Sequence, residues 1–191
     1  MARAGLSTAS VVNVAVELID ENGAAALTLA AVANRTGVAA PSLYKHVRNL
    51  EALQQKVSAR VTAELSHALS NAIAGRSGED ALRFLAHAYR DYALAHPGRY
   101  PLTQGVPDAE DPGHLAAAEQ AVEAVFAALR GYGLHGDEAI HATRVVRSAL
   151  HGFVSLDVEG GFGLPQDVGR SFERLLFALH VSLSGWQEVA R

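Results

Sequence analysis

Ser42, Tyr44, Lys45 and His46 follow Pro41 in close succession, and each can donate a hydrogen bond to a phosphate oxygen or a base edge. Carried on a short helix, such a set fits the major groove of duplex DNA, which admits one helix with its N-terminal residues nearest the bases. Other chemistry finds less support. The chain holds no G-x-S-x-G elbow, phosphate-cradling glycine loop or dinucleotide fingerprint. Its nine histidines form neither H-E-x-x-H nor His-x3-His, and His141 and His151 fall at different angles of a helix, so no metal site is expected. Asp157 and Glu159 point to different sides of a helix and read as solvated, not as an acid/base pair. With no cysteine, disulfides, thiolate zinc ligands and cysteine nucleophiles are excluded. An enzyme is not expected, nor any cofactor.

The donors need a scaffold, and the chain reads as helix throughout, with alanine and leucine dominant and no alternating β-branched runs. Ser7 or Thr8 caps a first helix to about Glu21, with Val11, Ala15, Leu18 and Ile19 on one face and Asn22-Gly23 as its stop. Thr28 caps a second, short helix in which Leu29, Val32 and Ala33 share a face. Ala33 is small where two helices approach, and Gly37 supplies the positive φ of a tight turn. Val38 and Leu43 fill the small core beneath. Pro41 opens a third helix expected to reach about His46, and a fourth runs from Leu50 to about Ala74. Further helices are expected at 78–95, 98–104, 111–132, 137–160 and 167–188. The chain thus divides into a helix-turn-helix head (1–48) and a larger helical body (49–191), an all-α architecture.

Charge follows the same division. Of the 191 residues, positions 1–60 carry six Lys/Arg against four Asp/Glu, and the remainder ten against sixteen, which together give the formal −4. The basic excess sits where a phosphate-facing surface would be useful. No apolar run approaches the roughly 20 residues of a membrane span, and the N-terminus lacks the apolar core of a signal peptide, so a cytoplasmic location is expected.

One small head would bind duplex weakly and without specificity, whereas two linked heads reading half-sites a helical turn apart gain specificity by geometry. A homodimer is therefore expected. The last helix carries Val168, Phe172, Leu175, Leu176, Leu179, Leu183 and Trp186 on one face, and Phe177, Ala178 and Val181 widen the stripe beyond one contact. The preceding helix sets Val145, Val146, Leu150, Phe153 and Val154 beside the small residues Ser148, Gly152 and Ser155. Gly152, costly in mid-helix, suggests a close helix approach. Gly152, Phe172, Leu176, Leu179 and Leu183 are the interface candidates; an ordinary monomer core is the plainer reading of the same pattern.

The string from Thr28 to Val47, with its capping Thr28, the Ala33, Gly37 and Val38 core, the run Leu43-Tyr44-Lys45-His46 and the continuation Leu50-Glu51-Ala52-Leu53, resembles the head of the tetracycline-repressor (TetR) family. The resemblance covers about 1–60 and implies roles. Thr28 and Tyr44 would hold phosphates, Lys45 and His46 the backbone or groove edge, and Ser42 would lie near the bases. Arg48 would add a phosphate contact, and Arg3 would reach a flanking minor groove. Two positions depart from the family: Ala39 replaces a capping serine, and Asn49 replaces a lysine at the start of helix four. Leu150-His151-Gly152-Phe153 with Gly160-Gly161-Phe162, and His96-Pro97 with Tyr100, resemble the subgroup named for a Trp-His-Gly motif, although Leu150 stands in place of the Trp.

Such regulators typically dimerise through their final two helices. The resemblance further implies a small-molecule pocket in the body, for which Phe84, Tyr89, Tyr92, Tyr100, Phe126, Arg144, Arg147 and His151 are candidates. The expected function is a ligand-responsive repressor that binds a palindromic operator and is released by an effector. A helical carrier that has lost DNA binding is the alternative, and an enzyme pairing His151 with Arg144 or Arg147 a more distant one.

Overall fold

A computed structural model describes residues 6–186; Arg3 lies outside them. Among the described residues there are eight α-helices and no strands. They are α1 (Thr8–Asn22), α2 (Leu29–Thr36), α3 (Ala40–Leu43), α4 (Leu50–Ile73), α5 (Gly78–Ala95), α6 (Pro112–Arg130), α7 (Gly136–Val158) and α8 (Val168–Ser184). Short 3-10 turns occupy Ala24–Ala26 and Tyr100–Gln104, the latter where a helix over 98–104 is expected. The other long helices keep their expected places, with ends shifted by a few residues. No helix among the described residues is long and apolar enough to cross a membrane.

Local chemistry accounts for the head. Ser7 and Ser10 form a reciprocal capping box at the start of α1, and Gly23, at φ 79°, ends that helix by returning its N–H to the Ile19 carbonyl at 2.8 Å. Thr28 Oγ1 accepts from Ala31 N at 3.0 Å, and Gly37 closes α2 in the left-handed conformation at φ 68°. Ala39 makes no side-chain cap to α3, as its missing hydroxyl dictates. The helix is a single turn that stops at Leu43, and Tyr44–His46 continue as a turn where three more helical residues are expected.

The described chain forms two compact units. The first contains α1–α3, α4 as far as Glu64, and residues 96–117. Its core is built from Val11, Ala15, Ile19, Val32, Leu43, Leu53, Val57 and Val61. Gly98 rests on α1 so closely that a Cβ there would fall 2.5 Å from the Ile19 carbonyl oxygen. Beside it Arg99 forks onto Asp20 and donates to Glu64 at 3.0 Å.

The second unit contains residues 65–95 and those from 118 onward, with α5, α7 and α8 packed together. Leu82, Leu85, Ala86 and Ala93 of α5 are buried with Val146, Leu150 and Val154 of α7. Phe172, Leu176, Leu179 and Leu183 of α8 are also buried within the protomer. This corrects the expected interface: those four side chains serve the chain's own core, and the outward face of α8 carries Phe177 and Val181 instead, 68% and 53% exposed. Gly152 faces outward too, and a Cβ there would touch nothing in the protomer. Asp157 is likewise not a solvated acid, since Arg90 Nε donates to it at 2.8 Å with both side chains largely covered.

Candidate nucleic-acid interface

The segment from Ser42 to Arg48 alternates between anchoring the head and leaving it. Leu43 and Val47 are buried, while Tyr44 is 57% exposed and Lys45 and Arg48 are exposed. The two buried residues fix the outward direction of the others: His46 N and Val47 N both return to the Leu43 carbonyl, at 2.8 and 3.0 Å. Ser42 and His46 are half-buried at the margins of this face. Thr28 is exposed at the first residue before α2, and because its Oγ1 is the acceptor of the cap, its hydroxyl proton stays available for a phosphate. Asn49 Oδ1 accepts from Ala52 N at 2.8 Å and so caps the start of α4. The residue that departs from the family's lysine gives up a charge and supplies a cap.

Which cations are available is set by ion pairing. Arg35 forks onto Glu21, and that hydrogen bond holds the Glu21 carboxyl below its ordinary pKa and the Arg35 guanidinium above its own. Arg60 pairs with Glu64 at 2.7 Å. Among the described residues of 28–60, Lys45, Arg48 and Lys56 therefore remain without an ion pair. Three unpaired cations beside hydroxyl, phenol and imidazole donors form a surface for a phosphate backbone with nearby base edges.

The effector-pocket candidates divide. Tyr89 and Tyr92 are buried in α5, Phe126 is half-buried in α6, and half-buried His151 has Nδ1 3.4 Å from Ser155 Oγ. Tyr100 belongs to the core of the first unit, 2% exposed. Phe84 is a surface ring with the Arg76 guanidinium 3.9 Å above it, and Arg144 and Arg147 are exposed on α7. These three correct the expected pocket, because their positions on the helices turn them toward solvent.

A polar row between α5 and α8 has no counterpart among the residues expected from the sequence. His87 Nε2 lies 2.8 Å from Glu173, His180 Nε2 lies 3.5 Å from Glu79, and Tyr132 OH lies 3.0 Å from His180 Nδ1. Burial, with the Glu79 carboxylate adding to it, pushes the Tyr132 phenol up to about 12. No local pattern marks these pairs, which join positions far apart in sequence.

A capped helix-turn-helix with an exposed donor face, joined to a larger all-helical unit, defines the class: a helical DNA-binding regulator. Residues 11–56 match the family described as bacterial regulatory proteins of the tetR family, and residues 82–179 match the tetracyclin repressor-like C-terminal domain. An HTH-type transcriptional regulator of Mycobacterium tuberculosis is 42% identical over 158 residues, covering 82% of this chain and 72% of that one. A second, from Bacillus subtilis, is 33% identical over 184 residues, covering 96% and 94%. The crystal structure of the regulatory protein SCO4313 superposes with a TM-score of 0.73 at 28% identity, covering 90% of this chain and 94% of that one. The chain belongs to the TetR family of bacterial transcriptional regulators.

Proposed function

We propose that this regulator is a homodimeric repressor that binds a palindromic operator in the cytoplasm and is released by a small-molecule effector. The observation that carries the reading is the split along 42–48, where buried Leu43 and Val47 aim Tyr44, Lys45 and Arg48 outward as one donor face. Thr28 and Tyr44 hold phosphates, Lys45, His46 and Arg48 extend the backbone contact, and Ser42 lies nearest the bases.

Dimerisation is supported by the outward faces of the last two helices. Val145, Ser148, Gly152 and Leu156 recur at helical spacing on α7, and Phe177 and Val181 stand beside Ala178 on α8. This strip is apolar and small enough in its middle for a second copy to approach closely. Tyr89, Tyr92, Phe126 and His151 are the pocket candidates that support an effector site in the body. The effector acts by binding better to a dimer whose heads misfit the operator, since only differential affinity shifts the equilibrium.

The test is selection from a random duplex pool, followed by anisotropy titration of the winners at two salt concentrations. A palindromic winner bound by one dimer, with an affinity falling steeply with salt, is the expected result. Weak, sequence-blind binding at about 10⁻⁴ to 10⁻⁶ M overturns the reading and favours a carrier with a lapsed head.

A further inference from the structure

A groove of about 400 Å³ runs beside the start of α4, wholly within the first unit. One wall presents His46, Arg48 and Lys56, and the other presents Asp108, Glu110 and Asp111 from the loop that leads into α6. The loop is pinned. Asp108 N–H donates to Nδ1 of His114 at 3.1 Å, and His114 is itself 2% exposed. That bond makes Nδ1 the acceptor, which leaves Nε2 to carry the proton toward Ser58 Oγ, 3.4 Å away. Ser58 in turn donates to the Leu102 carbonyl at 2.8 Å. Asp108 Oδ1 accepts from Glu110 N at 2.9 Å, and Asp111 Oδ1 accepts from Gly113 N and His114 N at 3.0 and 3.1 Å.

The Asp108 and Asp111 carboxylates are thus fixed in place, Glu110 is held through its backbone, and among the described residues none of the three is neutralised by an ion pair. They face Arg48 and Lys56, two of the three unpaired cations of 28–60. A negative charge held there has a consequence for any polyanion approaching Arg48 and Lys56, because it lowers the local potential that draws phosphates in.

We propose that the Asp108–Asp111 loop is an electrostatic brake on duplex binding. It lowers the attraction of Arg48 and Lys56 for the phosphate backbone without touching the DNA. The proposal rests on the reading of residues 42–48 as the DNA-binding face and deepens it. The sequence-independent share of binding comes from such backbone charge, so the brake cuts the affinity for every duplex and leaves recognition more dependent on the base-edge donors.

The test uses the full chain and a fluorescein-labelled duplex of arbitrary sequence, so no operator need be known. The triple variant D108N/E110Q/D111N removes three charges while every side-chain oxygen that caps the loop is kept. Its affinity should rise by about five- to ten-fold at about 50 mM KCl and converge with that of the parent chain by about 300 mM, as screening shortens the reach of the loop. Glu110→Gln alone, whose side chain caps nothing, should give about a two-fold rise with an unchanged melting curve. Equal affinity of parent, single and triple variants at low salt overturns the brake. Lys45→Ala separates the two failures. If it weakens binding while the loop variants change nothing, only the brake falls; if neither has an effect, the DNA-binding face falls with it.

Discussion

The contact that holds Arg99 is the strongest test of how the first unit is fastened. Asp20 and Glu21 lie in the last turn of α1, where carboxylates oppose the helix dipole and where the helix has no basic residue of its own. Each is answered from elsewhere, Glu21 by Arg35 and Asp20 by Arg99. Arg99 Nε donates to Asp20 Oδ1 at 2.6 Å, a second nitrogen completes the fork, and the third reaches Glu64 at 3.0 Å. Its side chain is 16% exposed, with Asp20 at 33% and Glu64 at 26%. The Asp20 hydrogen bond holds the guanidinium charged beyond its ordinary range, so the network keeps its positive centre at every pH in which the protein works. Exposed ion pairs contribute at most about 1 kcal/mol, whereas breaking a buried one costs about 3–5 kcal/mol. This partly covered triad falls between, so Arg99→Met should cost about 2 kcal/mol, or roughly 4–8 °C in melting temperature for a chain of this size. Asp20→Asn should cost about half as much, because Arg99 keeps Glu64. Lys at position 99 should restore less than half of the loss, since an ammonium cannot fork onto one carboxylate while reaching another. Urea denaturation followed by circular dichroism, run on both single variants and the double, reads the coupling directly. If Arg99→Met costs less than about 0.5 kcal/mol, the triad is a surface ornament and the reasoning fails.

Two neighbouring positions on α8 should behave oppositely. Phe177→Asp should dissociate the proposed dimer in sedimentation while leaving the helical signal intact, and Leu179→Asp should unfold the protomer, because one side chain is exposed and the other buried. Gly131→Ala should cost about 2–3 kcal/mol, since a Cβ there would fall 2.0 Å from the backbone nitrogen of Gly78 and force two backbones apart; a thermal melt unchanged from the parent would refute that approach. In an alkaline absorbance titration, one of the five tyrosines should ionise at about 12, and Tyr132→Phe should abolish that late step. Because the folded state raises this pKa, the stability that Tyr132 contributes is complete below about 10 and is lost as the pH climbs toward 12.

The parts of the fold set by neighbouring residues were open to reading from the sequence. Ser7, Thr28 and Gly37 act within four positions of the groups they satisfy, so their types alone locate the ends of α1 and α2. What the sequence could not show is which of two apolar faces belongs to the protomer. Phe177 and Val181 are as apolar as Leu176 and Leu179, and a stripe covering more than half of a helix conceals which side meets the chain's own core. Arg99 with Asp20, His114 with Asp108 and Ser58, and Tyr132 with His180 were hidden for a different reason. Apart from Asp108, six residues before His114, their partners come together only after distant stretches of the chain pack, and a lone arginine or histidine carries no mark of its partner.

Arg144 is a separate case, because the signal that places it was present. Val146, Leu150 and Val154 fix the buried line of α7 at a spacing of four. At about 100° per residue, Arg147 turns a quarter of the way round from Val146, and Arg144 about 160° from it. Arg144 therefore had to leave the buried face once that line was drawn, whereas Arg147, about 20° from Val154, lies at the edge of that face, and helix geometry alone does not dictate its exposure. Basic character favoured both as ligand contacts, but for Arg144 register outweighs residue type, since a side chain cannot reach a cavity its helix turns it away from. His151, about 100° from Leu150 on the same helix, is half-buried, so its partial cover and not its register separates it from the exposed Arg144 and Arg147.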